Sequence, residues 1–457
     1  MQEPTTLEIC RQARRIDISD IPLSTVAVAK NLIRDGLGVM IAGMQHPTIN
    51  MLAEHVKELG CKAVSPVYGY GFNTAPQEAA FVNGAATHVL DFEPMFSPPT
   101  HVVSPILAGL FALAHADHEK ADGEKFLKAF IAGVQLQADL RKAAKYHDAQ
   151  AAKEKRHFPF QKQGFHPPGT VGALGSALGA GLWLGLDEEQ LSMAIGIAAS
   201  RSSGLAGNIG TMTKSTHCGH ASRVGVESAL LAKKGFTASI ATFEGASGWG
   251  QVYGGDYFDR AILLHGMTEL NCFVDPGFAF KKWPAHTAMQ VAIEASIPLF
   301  TDGLMPEFVR ISSPIFKYCN RPSPKDSDEC RFSFQYNVAL GILDGNVNFS
   351  SYTNERLYKE DMQTLLKRIT LDMDPDIETT FGKMEVKIVL NDGRSSNSDR
   401  WPGHWKSPAT NEGLQKKFKS CAGQLYGSNE TAALSDCLLN IETEDNFQSL
   451  LSILSGV

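Results

Sequence analysis

Gly169-Thr-Val-Gly-Ala-Leu-Gly-Ser-Ala-Leu-Gly-Ala-Gly-Leu-Trp-Leu-Gly-Leu186 carries no charge over its 18 residues, and we expect the rest of the chain to be built around it. Glycine costs about 1 kcal/mol relative to alanine inside a helix, so a glycine-rich helix indicates close packing against other helices. The length also reaches the lower limit for a membrane-spanning helix. Pro167-Pro168 before the stretch and Asp187-Glu-Glu189 after it favour a buried core helix over a membrane span.

Polar groups suited to anion binding and proton transfer flank this stretch. His166 precedes it, and Lys214, His217 and His220 follow it at intervals of three residues, which places them on one face if they are helical. The Gly210-Thr-Met-Thr turn before them is expected to leave backbone N–H groups available to an anion. Histidines at this spacing also suit zinc, but the cationic Lys214 disfavours a metal ion. We expect no metal.

Length and composition limit the function classes. A chain of 457 residues exceeds what one core usually serves, so two domains are expected. The net charge of −7 and the lack of a basic run argue against a nucleic-acid partner. Eight cysteines without CxxC spacing, behind a start that lacks the features of a signal peptide, predict reduced thiols in a cytoplasmic protein with no membrane partner.

Residue periodicity changes along the chain. Helical patterns dominate to about residue 272, whereas Phe308–Ser312 and Met384–Leu390 are predicted strands, the second followed by the hairpin turn Asn391-Asp-Gly393. We therefore expect a mainly α protein, with a large all-helical domain (1–272 and 401–457) and a smaller α+β domain (273–400). The predicted helices include 22–44, 50–59, 76–90, 104–116, 123–146, 169–185, 187–200, 214–235, 284–297, 332–343 and 355–368.

Further groups could carry chemistry. Asp91 and His101 bracket a proline-rich loop, and cationic groups lie beside prolines in Lys281–His286 and Lys317–Pro322. Each segment also has an ordinary interpretation, as a helix cap or a solvated surface loop. There is no GxGxxG after a strand, no Walker A, no GxSxG and no HExxH motif, so we expect no cofactor. Histidine, lysine, tyrosine and aspartate suit proton chemistry on a small anionic substrate.

These clusters, in this order, resemble the MmgE/PrpD family over nearly the whole chain, from about Leu7 to Phe447. The family includes 2-methylcitrate dehydratase, cis-aconitate decarboxylase and an iminodisuccinate epimerase. The short Asp91–His101 loop, Tyr318–Pro322 and Gly403–Lys406 are most similar to the decarboxylase branch. The resemblance rests on Asn83–Glu93, Phe165-His-Pro-Pro168, Gly210–Lys214, Phe280–His286, Ser333–Tyr336 and Leu343-Asp-Gly345.

The resemblance implies a large helical domain formed by both chain ends, a smaller α+β lid domain, an interdomain cleft, a homodimer and no metal or organic cofactor. By matching position, the implied catalytic residues are Asp91, His101, His166, Lys214, His286 and Tyr318, and the implied substrate-binding residues are Met95, Lys214, His217, Lys282 and Arg321.

One departure bears on the substrate. The family's Asp-Phe-Asp-Asp-Thr is Asp91-Phe-Glu-Pro-Met95 here, so a thioether replaces a hydroxyl. A site built around a hydroxyl discriminates strongly among ligands, so Met95 predicts a ligand less polar at this position.

The resemblance predicts a cofactor-independent lyase acting on a small di- or tricarboxylate, most similar to the enzyme that converts cis-aconitate to itaconate and CO2. A protonated histidine or Tyr318 could deliver the proton, and His101 is the preferred acid, with Asp91 orienting its ring. Dehydration and epimerisation need the same groups and stay open. A non-catalytic carboxylate-binding homologue, with Pro94 and Met95 as its marks, is a further alternative.

Overall fold

The structure is a computed structural model that describes residues 3–117, 121–145, 164–312, 319–372 and 384–456. It is mainly helical, as predicted, and divides into two compact units. The larger unit comprises Met1–Val89, Phe96–Gly277 and Glu412–Val457, and the smaller comprises Leu90–Met95 and Phe278–Asn411. The predicted domain limits, after residues 272 and 400, stay a prediction.

The larger unit begins with helices and one short hairpin. Its antiparallel strands are β1 (Ser65–Val67) and β2 (Phe72–Thr74). The first helices are α1 (Thr5–Arg15), α2 (Leu23–Gly43), α3 (Pro47–Glu58), α4 (Pro76–Val89), α5 (Ser104–Ala116), α6 (Gly123–Lys145), α7 (Pro167–Trp183), α8 (Glu188–Ala199), α9 (Thr213–Lys233), α10 (Trp249–Gly254) and α11 (Arg260–Glu269). The 3-10 turns Ile18–Asp20, Ala206–Asn208, Gly255–Tyr257 and Asn271–Phe273 complete this part, and strand β3 (Met95–Phe96) has its first residue in the smaller unit and its second in the larger.

Helix α7 forms the centre of the larger unit. Every residue from Pro168 to Trp183 is buried, and the helix packs against α5, α6, α8 and α9. A methyl group added at Gly225 of α9 would lie 2.2 Å from Ser176 Oγ, and one at Gly175 would lie 2.5 Å from the Gly133 carbonyl oxygen. The predicted buried, closely packed core helix is confirmed. Among the described residues, no helix has the length and apolarity to cross a membrane.

The smaller unit combines helices with a four-stranded sheet. The strands of this sheet are β5 (Val309–Ser312), β6 (Ile369–Asp372), β7 (Val386–Leu390) and β8 (Ser395–Ser398), and the short strand β4 (Phe278–Ala279) lies outside it. The helices of this unit are α12 (Thr287–Ser296), α13 (Ser327–Cys330), α14 (Phe334–Asp344), α15 (Asn354–Leu357) and α16 (Glu360–Leu366), with 3-10 turns at Ile297–Leu299 and Phe349–Ser351. The chain then returns to the larger unit with α17 (Asn411–Ala422), α18 (Ser428–Leu439) and α19 (Glu444–Ser455).

The sheet has the strand order β6-β5-β7-β8, with β5 parallel to β6 and antiparallel to β7. Alternate residues of β7 (Val386, Ile388 and Leu390) enter the core of this unit. Gly393 at φ +86° closes the turn between β7 and β8, which pair antiparallel. The predicted strands and hairpin are confirmed.

One predicted element differs. The helix expected over 355–368 is two helices, because Lys359 has extended backbone (ψ 143°) and begins α16 as its N-cap. Arg356 holds the two pieces together through an ion pair with Asp361 (3.0 Å) and anchors them to Asp344 of α14 (2.7 Å). Side-chain pairing of this kind leaves no periodic signal in the sequence.

Candidate active site

The start of α7 presents His166. Pro167 and Pro168 occupy the first turn, where a helix needs no N–H donor. The backbone N–H of His166 donates to the Gly204 carbonyl (2.8 Å), and its ring does not cap the helix. The side chain is therefore buried and held in place without serving the helix terminus.

The first turns of α9 present Lys214 and His217, which are both buried. Gly204, at φ +113°, packs against the His217 ring, where a methyl group would lie 3.1 Å from Cγ. His166 Nδ1 and His217 Nδ1 are 3.0 Å apart. One of these nitrogens must donate and the other accept, so the two rings share a proton.

The backbone at the start of α9 differs from the expectation of available amides. The Lys214 N–H donates to the Thr211 carbonyl (3.0 Å) and the Ser215 N–H to the Met212 carbonyl (3.3 Å). The expectation was wrong for these two amides, because i→i+3 bonds tighten the first turn and use their N–H groups. These two amides are therefore not available to an anion.

Two more histidines join this group. His88 of α4 and His101 are buried, and their ring centroids are 4.5 Å apart. The His166 ring lies 5.5 Å from His88 and 6.3 Å from His101. We call His88, His101, His166 and His217 the histidine cluster. It belongs entirely to the larger unit.

The environment of His217 favours its neutral form. Burial, together with the charges of Lys214 and His220, lowers its pKa from 6.5 to about 4. A neutral His217 can accept the Nδ1 proton of His166 if its own proton is on Nε2. His166 can then donate its Nδ1 proton to His217.

The cluster also has donors of the kind that metal ions use. Ring nitrogens of His88, His101 and His166 lie within 4.8 Å of one another, so these residues could hold an ion. The ammonium of Lys214, which already lowers the pKa of His217, opposes a further cation nearby. A metal-free cluster stays our prediction.

Asp91 and Lys281 form a buried ion pair in the smaller unit. Asp91 takes the left-handed backbone conformation (φ +50°), which costs of order 1 kcal/mol for a residue other than glycine. Lys281 Nζ donates to the Asp91 carbonyl oxygen (2.5 Å) and pairs with its carboxylate. Both side chains are at most 1% exposed, so each charge depends on the other.

The neighbouring Lys282, predicted to bind substrate, lies at the surface. Its side chain is 46% exposed, its Nζ is 3.8 Å from a Glu294 carboxylate oxygen, and it lies over the Trp283 ring at 4.6 Å. Of the two adjacent lysines, Lys281 is therefore the buried one.

His286 is the N-cap of α12, and its side chain is buried. Its Nδ1 accepts the Ala288 N–H (3.3 Å) and lies 3.9 Å from Cys319 Sγ. Because Nδ1 is an acceptor, the neutral ring carries its proton on Nε2. His286 is thus arranged as a donor through Nε2.

The remaining predicted residues are placed as follows. Met95 is buried in the smaller unit. Arg321 is partly exposed, with Nη1 3.7 Å from a Glu329 carboxylate oxygen and its guanidinium 5.7 Å from the Phe332 ring centroid. Tyr318 lies outside the described residues.

The structure therefore brings four predicted residues (His101, His166, Lys214 and His217) together in the larger unit, and Asp91, Met95 and His286 are buried residues of the smaller unit. Sequence reasoning missed His88 and Lys281, although both lie in the segments that carry the family resemblance.

Comparison with known proteins identifies the family. Residues 7–260 match the MmgE/PrpD N-terminal domain and residues 283–442 the MmgE/PrpD C-terminal domain. The cis-aconitate decarboxylase of Mus musculus is 29% identical over 94% of this chain and 88% of its own length, and that of Homo sapiens is 30% identical over 94% and 90%. A cis-aconitate decarboxylase of Aspergillus terreus is 23% identical over 98% of this chain and 96% of its own. The chain belongs to the MmgE/PrpD family.

Proposed function

We propose that this protein is a cofactor-independent lyase that acts on a small di- or tricarboxylate, and that its reaction is the decarboxylation of cis-aconitate to itaconate. The observation that carries the proposal is the buried histidine cluster, in which His217 contacts His166 and is subject to the charge of Lys214. Buried cationic groups attract carboxylates strongly because little water screens them. The similarity to decarboxylases over nearly the whole chain supports the same reaction.

Lys214 and, within the histidine cluster, His166 bind the substrate's carboxylates. Lys214 supplies a fixed positive charge. His166 supplies a second when protonated, because neutral His217 accepts its Nδ1 proton at 3.0 Å. Both charges then offset the negative charge that develops as the carbon–carbon bond breaks.

In the proposed reaction the bond from the methylene carbon to its carboxylate breaks and CO2 leaves. The bonding electron pair passes into an allylic carbanion, whose far carbon takes a proton from His101. Cis-aconitate(3−) and one proton thus give itaconate(2−) and CO2. His286, with its proton on Nε2, provides a neutral hydrogen-bond donor to a carboxylate.

A second candidate is dehydration of a citrate that carries an extra methyl group. The observation that favours it is Met95, which is buried and places a thioether where the family has threonine. An apolar contact at this position suits a methyl substituent better than a hydroxyl.

Separate incubations with cis-aconitate, 2-methylcitrate and iminodisuccinate, followed by proton NMR, test the proposal. We expect itaconate from cis-aconitate, and a fall in kcat/KM of about 100-fold or more in Lys214→Met, the effect of removing one stabilising charge. Lys233→Met is the matched control, since this exposed residue lies on the same helix. Turnover of 2-methylcitrate alone would favour dehydration. If the Lys214→Met variant kept wild-type activity, the proposed role of Lys214 beside the histidine cluster would be contradicted.

A further inference from the structure

Arg331 holds the turn that presents His286. It follows α13 and is 6% exposed. Its Nη1 donates to the Pro284 carbonyl (2.5 Å), and its own carbonyl accepts the His286 N–H (3.1 Å). One residue thus binds the turn on both sides of Ala285, immediately before the helix that His286 caps.

The guanidinium of Arg331 is itself held in place by contacts that involve Tyr352 and Asn337. Its Cζ lies 4.8 Å from the Tyr352 ring centroid, and the Tyr352 hydroxyl donates to Asn337 Oδ1 (2.5 Å). Asn337 in turn donates to the carbonyls of Cys330 (2.9 Å) and Ser333 (2.7 Å), which flank Arg331 in the chain. This closed set of contacts leaves the arginine little freedom to move.

Packing alone gives a poor explanation for an arginine here. Its Nε is buried and has no hydrogen-bond partner among the described residues, a state that usually costs about 1–3 kcal/mol. Burial lowers the pKa of Arg331, while nearby groups that include Asp91 counter that effect. An apolar side chain would fill the same space without these costs.

The turn has a second support that holds its other groups. Gln290 is fully buried, donates to the Trp283 and Ala285 carbonyls (2.9 and 3.1 Å) and accepts the Lys282 and Trp283 N–H groups (2.9 and 3.1 Å). Gln290 therefore fixes the path of the chain, whereas Arg331 bonds the two positions next to Ala285. The Ala288 N–H orients the His286 ring by donating to its Nδ1, and Arg331 holds the backbone that carries the ring.

We propose that Arg331 is a positioning residue that holds His286 as the neutral tautomer with its proton on Nε2, ready to donate. The inference rests on the proposed function for the contact between His286 and substrate. The positive end of α12 supports it, because a helix N-terminus disfavours a protonated ring. His286 then acts as a hydrogen-bond donor and not as an imidazolium acid.

The first test is a double-mutant cycle on cis-aconitate turnover with Arg331→Met and His286→Gln. We expect Arg331→Met to lower kcat about 10- to 100-fold with KM changed less than about 3-fold, the effect of a misplaced group. Arg331→Lys, which keeps the charge, should recover part of the loss. If Arg331 acts through His286, the double variant should be no slower than His286→Gln alone. Multiplicative losses would overturn the inference.

Arg356→Met is the matched control, because this arginine is also buried in the smaller unit but pairs with Asp344 and Asp361, away from the His286 turn. We expect it to lower the melting temperature while kcat stays within about 3-fold of the wild type. An equal loss of kcat in Arg356→Met would mean that Arg331 serves stability only.

The second test does not depend on turnover. Imidazole nitrogen NMR of histidine-labelled protein, with His286 assigned through His286→Gln, should show an unprotonated Nδ1 and a protonated Nε2. In Arg331→Met the two nitrogen shifts should move toward an average, and in Arg331→Lys they should move less. An unchanged spectrum in both variants would overturn the inference. Failure on every substrate would remove the proposed function and leave these spectra as the test of Arg331.

Discussion

Burial and neighbouring charge give His217 a lower pKa than an ordinary histidine has. Its pKa falls from 6.5 to about 4, chiefly through burial and then through Lys214 and His220. A folded-state pKa below the unfolded value means that the unfolded chain binds the proton more tightly. The stabilisation from neutral His217 is therefore complete above pH 6.5 and is lost as the pH falls toward 4.

The free energy of unfolding of wild type and His217→Gln should accordingly converge at low pH. Each pKa unit is worth about 1.4 kcal/mol, so the stability difference between them should shift by roughly 2 kcal/mol between pH 7.5 and pH 5. Denaturant titrations at pH 8.5, 7.5, 6 and 5 measure it, and the step from 8.5 to 7.5 serves as the internal control. A difference that stays constant down to pH 5 would show that His217 is not held neutral.

The sequence could not predict which residues are buried in the site where this depends on the direction of the side chain. Lys281 and Lys282 are adjacent and chemically identical, yet one is fully buried with Asp91 and the other is exposed beside Glu294. His88 lies in an alanine-rich helix, where composition does not separate a core histidine from a functional one. His101, His166 and Lys214 lie in distinctive motifs, and their roles in the site stay predictions.

At the scale of helices, small side chains set the distances in the larger unit. Gly225 of α9 lies against Ser176 of α7, and Gly175 of α7 lies against Gly133 of α6. Lys214, His217 and His166 lie on these same helices or at their ends. A shift between α7 and α9 would thus alter the 3.0 Å contact between His166 and His217.

Gly225→Ala should therefore destabilise the protein by about 1–3 kcal/mol, the usual effect of overpacking, because its methyl group would lie 2.2 Å from Ser176 Oγ. Gly207→Ala is the matched control, since no atom lies within 4 Å of the added carbon. It should change stability by less than about 0.5 kcal/mol. Chemical denaturation measures the stability of both variants. Equal unfolding midpoints for Gly225→Ala and Gly207→Ala would contradict the close packing of Gly225 against Ser176.

Helix positions were largely predictable from apolar periodicity, as for Pro76–Val89 and Ser104–Ala116. The exception, the helix expected over 355–368, breaks at Lys359, where Arg356 reaches both Asp344 and Asp361. Tertiary ion pairs of this kind override local propensity. The hairpin at Gly393 was predictable because its turn sequence requires a positive φ.

At the scale of the whole molecule, similarity extends over both compact units. The two family domains together span most of the chain, and the mouse and human relatives cover 94% of it. The larger unit holds His101, His166 and Lys214, and the smaller unit holds Asp91 and His286. The homodimer and the cytoplasmic location stay predictions.

The most direct test of the proposed lyase activity is the fate of cis-aconitate in D2O, followed by NMR with the 457-residue chain. We expect itaconate with one deuterium in its saturated methylene group and none in its vinylic group, since solvent exchanges with the acid that protonates the far carbon. Lys214→Met should form it about 100-fold more slowly. Unchanged cis-aconitate, or a product that keeps all three carboxylates, would contradict the account.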